Sequence, residues 1–453
     1  MGSRRSSKSR SSRRRRRLMR RIRSLFFALA MLCIAAALVV GALLVLMNTG
    51  GDRVPPLQAA TAAPTAALTA APETTAPSPE PTAAPTPSPS PTPSPSPTPE
   101  PTPTPEPTPR SVTFRVTGDL MASESMLKYA KSAGGAEYDY TSMFALAAGA
   151  LGNADYTMAN LETTIGMYKD LPYSGYPMFN TPESYLDALK GCGIDFLTLA
   201  NNHMLDRYFD GMKNTVANVA AYGFDHSGAY PSQEARETPA VAEICGVRVG
   251  FVSYTEGTNG MESYCDAAAK EYGVPYLYTA DFEGDVQRLR DAGAEIVIAF
   301  PHWGEEYTRQ PNAIETQYAR KLADAGVDVI IGSHPHVLQK VDVLQADGRQ
   351  VLVAYSMGNF ISTQNGYGDP YTDTGMILEF TMTEQPDGSF AVTGMGYLPT
   401  YCWIHDGTLQ VVPISQYMDE RPEGMSGSTY SRMKECYAFV RKLMNESISV
   451  LEE

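Results

Sequence analysis

Five apolar runs of strand length each end in a polar cluster, and this recurrence restricts the fold more than any other feature of the chain. Residues 112–117 lead into Gly118-Asp119, residues 156–159 into Asn160-Leu161-Glu162, and residues 196–199 into Ala200-Asn201-Asn202-His203. Residues 296–300 lead into Pro301-His302-Trp303-Gly304-Glu305-Glu306, and residues 327–331 into Gly332-Ser333-His334-Pro335-His336. Helical patterns lie among these runs, at 140–151, 182–189, 210–221, 281–292 and 314–325, the last two stopped by Gly293 and Gly326. Further strands are expected at 247–254 and 351–355. Such alternation predicts an α/β fold with a largely parallel inner sheet and helices on its faces. Ligands of open α/β sheets bind beyond the carboxyl ends of the strands. The five clusters should therefore converge, although more than 200 residues separate the first from the last. After Thr374 the pattern changes to an antiparallel pair, 375–383 and 389–397, joined by the turn residues Pro386-Asp387-Gly388. Residues 428–451 read as a closing helix.

The chain has six histidines, and four of them, His203, His302, His334 and His336, fall in these clusters. In an extended segment His334 and His336 would project to one side. Imidazole, carboxylate and amide oxygen together suit Zn, Mn, Fe or a similar divalent metal. No cluster contains cysteine, which argues against a structural zinc site. Each residue also has an ordinary reading. Asp119 could be a turn residue, Asn160 and Glu162 could be caps, and His203 could be a hydrogen-bonded loop histidine. Trp303 could stack on a substrate or pack in the core. Glu305 and Glu306 could orient a ligand histidine or open a solvated helix. Five coincidences at the same end of five strands favour a metal or catalytic centre.

The segments before residue 110 are of another kind. Residues 1–23 carry 12 basic and no acidic side chains. Residues 25–47 contain no charge and are long enough to span a bilayer. A basic flank on one side keeps the N-terminus in the cytoplasm and exports the rest of the chain. A cleaved signal peptide has a shorter apolar core and a small-residue cleavage site, which Leu46-Met47-Asn48 does not offer. Twenty of the 34 prolines lie in residues 48–109. Such a segment cannot bury a core and is expected to be a disordered, polyproline-II-like spacer with a reach on the order of 150–190 Å, either a passive tether or a passage through a cell wall. The expected division is a basic cytoplasmic tail at 1–23, a transmembrane anchor at 24–47, a linker at 48–109, a globular domain at 110–400 and an extension with a closing helix at 401–453. The expected location is the cell membrane, single-pass, with the C-terminal domain outside. Residues 110–453 carry 45 acidic against 23 basic side chains, within a net charge of −14 for the chain. No nucleic-acid partner is expected. Outside the span the five cysteines are irregularly spaced, and no essential disulfide framework is expected.

The segments GDLM at Gly118, NLETTIG at Asn160, LANNHMLDRYFDG at Leu199, HWGEEY at His302, GSHPHVLQ at Gly332 and YSMGNF at Tyr355 resemble, in order, the CapA family of poly-γ-glutamate capsule proteins. That family is related to the calcineurin-like metallophosphatases. The resemblance implies a two-sheet sandwich flanked by helices. It also implies metal positions at Asp119, Glu162, Asn202, His302, His334 and His336, with His203 as the general acid. Two positions depart from the superfamily pattern. Asp119 is followed by Leu120 and Met121 rather than Asp-x-His, and Glu162 stands for an aspartate, so one or two divalent ions (Mn, Fe or Zn) fit the motif. The implied chemistry is metal-assisted hydrolysis of a phosphoester or an amide-linked polymer. The competing reading is a non-catalytic factor that guides an anionic polymer, such as poly-γ-glutamate or wall material, beside other capsule-synthesis membrane proteins. Asn359, beyond the five clusters, would orient a ligand or hold a turn.

Overall fold

The computed structural model describes residues 108–135, 137–166, 171–444 and 448–451. The expected tail, membrane span and linker lie outside the described residues. Among the described residues no helix is long and apolar enough to cross a membrane.

The strands in chain order are β1 (Ser111–Leu120), β2 (Tyr156–Leu161), β3 (Phe196–Thr198), β4 (Asp225–Ser227), β5 (Val241–Ile244), β6 (Val247–Thr255), β7 (Ile296–His302) and β8 (Val329–Ile331). They continue with β9 (Val341–Ala346), β10 (Arg349–Ala354), β11 (Asn359–Ile361), β12 (Thr374–Glu384), β13 (Phe390–His405), β14 (Thr408–Pro413) and β15 (Ser449–Val450). They form two sheets rather than one. The first runs β14-β13-β12-β1-β2-β3-β4, with β11 paired to β1 and β15 to β13. The second runs β5-β6-β7-β8-β10-β9. In the first, β1 to β4 are parallel and β12 to β14 antiparallel. In the second, β6, β7, β8 and β10 are parallel, with antiparallel edges.

Strand alternation explains the packing. Val112, Phe114 and Val116 point from β1 into a core shared with Phe251, Ile298, Phe300 and Val329 of the second sheet. Phe196 stacks on Phe251 at 4.4 Å and on Phe300 at 5.1 Å between ring centroids. Burying each such ring contributes about 2–3 kcal/mol. The outer face of the first sheet is covered by the helices Ser184–Gly191 and Tyr208–Ala221 and by Glu124–Gly134. The outer face of the second is covered by Phe282–Asp291 and Ala313–Asp324. Asn312 and Glu315 form a reciprocal capping box at the start of Ala313–Asp324. Both of these latter helices end before a glycine at positive φ, Gly293 and Gly326, as the sequence led us to expect.

Two elements differ from the sequence reading. The expected closing helix stops at Leu443. The β-branched pair Ile448 and Val450 then pulls the chain into β15, which places Ile448 in the inter-sheet core. Residues 140–151 form two single-turn helices, Thr141–Phe144 and Ala148–Leu151, instead of one helix. β13 runs from Phe390 to His405, so residue 400 lies within a continuous strand.

Candidate metal centre

The carboxyl ends of parallel strands from both sheets deliver the polar clusters to one place. Asp119 lies in β1, in register with Asn160 of β2 and Asn359 of β11. Glu162 follows β2, Asn201 to His203 follow β3, His302 ends β7, and His334 and His336 follow β8. Close backbone approach makes this possible. A Cβ on Gly118 would overlap the carbonyl oxygen of Gly358, and one on Gly332 would overlap that of Tyr355. Only glycine fits at either point.

The ligand-type atoms form two groups that share Glu162. One is Asp119, Glu162 and His336, and the other is Glu162, His302 and His334, with the donor atoms of each group within 4.8 Å of one another. His336 Nδ1 lies 3.0 Å from Asp119 Oδ2, and its Nε2 lies 3.6 Å from Glu162 Oε1. His302 Nε2 lies 3.8 Å from the same oxygen and 3.1 Å from both Asn202 Oδ1 and His334 Nδ1. The expectation that His334 and His336 project together is wrong. Neither is extended; φ is 98° at His334 and 57° at His336. The turn sends one imidazole to each group. Positive φ at a non-glycine residue costs about 1–3 kcal/mol and collects at functional sites.

The asparagines support this frame. Asn160 Nδ2 donates to Asp119 Oδ1 at 2.8 Å and to Glu162 Oε2 at 3.3 Å. Asn201 Nδ2 donates to the Leu161 carbonyl at 2.8 Å, and its Oδ1 accepts the His203 N–H. That leaves Glu162 Oε1 buried without any hydrogen-bond partner. A buried carboxylate oxygen with no donor is costly unless a cation faces it. Burial, reinforced by Asp119 and Glu306, holds Glu162 well above the usual carboxylate range. Burial, with His334, His336 and His203 nearby, holds His302 far below the ordinary imidazole value, and burial with His336 pushes His334 down to about 3. Neutral imidazoles are the ligand form. The donor set and the orphaned oxygen fit a divalent cation in each group.

His203 stands at the edge of the centre. Its Nδ1 lies 2.8 Å from Asp206 Oδ2, which also accepts the Phe179 N–H at 2.7 Å. Sequence reasoning missed Asp206. The His-Met-Leu-Asp spacing, with three residues from ring to carboxylate, was the available signal. Trp303 does not face the site. It is fully buried, packs in the second sheet's outer core and donates Nε1–H to the Tyr355 carbonyl at 2.9 Å. Glu305 and Glu306 lie in an exposed loop and do not open a helix. Asn359 donates to Gln364 Oε1 and to the Thr372 carbonyl, both at 2.9 Å, and so holds the loop after β11. A cavity of about 370 Å³ opens at His203 and His336. A smaller one of about 200 Å³ opens at Asn202, His302 and His334.

Fold and site define a class: a two-sheet α/β sandwich whose parallel strands gather carboxylate, amide and imidazole donors at one point. Within it, the chain belongs to the family described as bacterial capsule synthesis protein PGA_cap, whose model matches residues 113–364. The chain is 29% identical over 244 residues to the PGA biosynthesis protein CapA of Bacillus subtilis (strain 168), covering 53% of this chain and 61% of that one. It is 28% identical over 259 residues to the capsule biosynthesis protein CapA of Bacillus anthracis, covering 56% and 60%. The match thus spans about three fifths of the length of these relatives. Similar solved structures include the NAD nucleotidase of Haemophilus influenzae, with TM-score 0.41 and 11% identity, covering 76% of this chain and 65% of that one. They also include a calcineurin-like phosphoesterase of Bacillus subtilis, with TM-score 0.37 and 16% identity, covering 74% and 100%.

Proposed function

We propose that this protein is a membrane-anchored hydrolase of the cell envelope that cleaves a phosphoester in the course of capsule biosynthesis. The observation that carries the reading is Glu162, shared by two ligand groups and left with a buried, unpartnered Oε1. Family membership and the names of the two Bacillus relatives support the capsule setting and poly-γ-glutamate as its polymer. The basic head and apolar span before the linker support a cytoplasmic N-terminus and an outward-facing domain.

Asp119, Glu162 and His336 would hold one divalent ion, and Glu162, His302, His334 and Asn202 a second. When bound, such ions supply Lewis acidity and lower the pKa of water. Two positions flanking one carboxylate suit in-line displacement at phosphorus, where attacking and leaving oxygens both need stabilising. The protein's own groups do the rest. With Asp206 accepting from Nδ1, His203 would donate from Nε2 as the imidazolium, the proton going to the departing oxygen and being replaced from the attacking water. Asn160 and Asn201 fix the carboxylates and the His203 loop. In the net reaction, water oxygen bonds to phosphorus, the ester P–O bond breaks, and the alcohol leaves protonated.

The test is elemental analysis of purified protein beside a His334→Ala/His336→Ala variant, with turnover of a generic phosphodiester. Divalent metal that falls in the variant, together with turnover lost in it, is the expected result. No metal after incubation with Mn, Fe or Zn would sink the reading. Bound metal without turnover would leave a guiding role in polymer export.

A further inference from the structure

The cavity at His203 and His336 has a character that hydrolysis alone does not use. Tyr176, Phe179, Tyr307 and Tyr367 border it. Tyr176 and Tyr367 are 76% and 68% exposed, so their rings are open to an incoming group. Tyr307 and Tyr367 meet at 5.5 Å with planes 81° apart and form two walls of a corner. Tyr176 lies 6.5 Å from both Phe179 and His203. The corner is held in place. Tyr307 N–H donates to the Pro335 carbonyl at 2.8 Å, which ties it to the loop of His334 and His336. A Cβ on Gly368 would overlap the Tyr307 ring, so the chain there packs directly on the ring. Thr363 bonds to Ser123 at 2.7 Å across the floor.

Apart from the ion that His336 would help to hold, the fixed charge of the side chains at this cavity has one sign. Among the described residues that line it, Glu306 is the carboxylate, and neither lysine nor arginine occurs. A pocket for a polyanion would present cations. Aromatic faces beside a carboxylate instead attract a cation, through the negative face of each ring. The acidic excess of residues 110–453 acts in the same direction. We propose that this cavity binds the ammonium group of a substrate whose phosphate is held at the adjoining ligand groups. The enzyme would then hydrolyse a phosphoester of an ammonium-bearing alcohol, releasing that alcohol and phosphate with uptake of one water. The assignment of the reaction rests on the hydrolase reading; the assignment of the cavity does not.

The experiment is calorimetric titration of the full chain in detergent, metal-free and manganese-loaded, with two probes. These are choline and its neutral isostere 3,3-dimethylbutan-1-ol, with methyl glucoside as a third ligand. Choline should bind about ten-fold or more tighter than the isostere. Glu306→Gln and Tyr367→Leu, both at exposed positions, should each remove most of that preference. Equal binding of choline and isostere, preference for the glucoside, or no binding of choline would each overturn the proposal. Metal content is read on the same samples. A choline preference in protein that takes up no manganese would overturn the hydrolase reading and leave the cavity assignment standing. Metal and turnover without choline preference would do the reverse.

Discussion

Glu162 joins the stability of the centre to its chemistry. Its side chain is fully buried, Asp119 lies in the same ligand group, and one of its oxygens has no donor. Without a cation the ionised form is costly, because burial and a like charge act together. With one, the same carboxylate is an obvious ligand. Glu162→Gln should therefore act in opposite directions on two readouts. Thermal melting of metal-free protein at neutral pH should move upward, since a neutral amide replaces a group that burial and Asp119 make costly to ionise. Metal-dependent turnover should fall by more than the ~10–100-fold typical of losing an outer-shell partner. A melting temperature that fell along with activity would mean that Glu162 is structural. Asp206→Asn makes a different demand. It keeps the volume but removes the charge from the group whose Oδ2 faces both His203 Nδ1 and the Phe179 N–H. Turnover should drop by ~10²–10⁴, the range of a lost general acid, with metal content unchanged. Metal loss in that variant would place Asp206 in the ligand frame instead. All seven residues read as site candidates are brought together, because strand ends carry their clusters visibly in the chain. The separate fates of His334 and His336 were not legible, since positive φ at two histidines is a tertiary demand that local propensity does not announce. Asp206 was hidden for a similar reason. Its partner is a ring in a loop, and the three-residue spacing between them marks a pair only once the turn of that loop is known.

Elements show where local sequence suffices and where packing decides. The Ala313–Asp324 helix was legible within a residue from its pattern and from Gly326 after it, while the Asn312 cap emerges only in the structure. The Ser449–Val450 strand was not, because a two-residue edge strand exists only through its partner Gly396–Tyr397. Likewise the split into two sheets followed from family resemblance, not from periodicity, since parallel strands read alike in either architecture. The capping residue of the Ala313–Asp324 helix also gives a pH dependence. Glu315 is fully buried and accepts the Asn312 N–H at 2.7 Å, while burial raises it from 4.5 to about 7. The folded state then retains a proton that the unfolded chain has released over this window, so its stabilising share is complete below 4.5 and is lost as pH rises through about 7. The loss is of order 1–3 kcal/mol. Glu315→Gln keeps an acceptor for the cap and cannot ionise. Measured by thermal melting between about pH 5 and 8, the wild type should weaken relative to the variant as pH rises. Parallel curves for the two proteins would show that Glu315 is ionised throughout.

At the scale of the whole molecule the chain is divided by charge: a basic head, an apolar span, a proline-rich spacer and an acidic domain. A single field cannot serve all four, and the proposed arrangement puts the acidic domain on the far side of the membrane from the basic head. The described domain carries a probe for that arrangement. Cys245 is an exposed thiol in the turn between β5 and β6, held at φ 50°. Cys192, Cys402 and Cys436 are buried and Cys265 is half-buried. A membrane-impermeant maleimide applied to intact cells should therefore label the protein mainly at Cys245. Cys245→Ser should remove most of that label without disturbing the core, because the turn lies at the sheet edge far along the chain from every ligand. Labelling that appeared only after lysis would put the domain inside the cell. It would also remove the reason for so long a spacer, and the search for substrate would then move to cytoplasmic phosphoesters. Labelling of intact cells would instead make the acidic domain an outward-facing surface. There an ammonium-bearing substrate meets attraction and a free polyglutamate chain meets repulsion, so any polymer contact must depend on cations held at Asp119, Glu162 and the three histidines beside them.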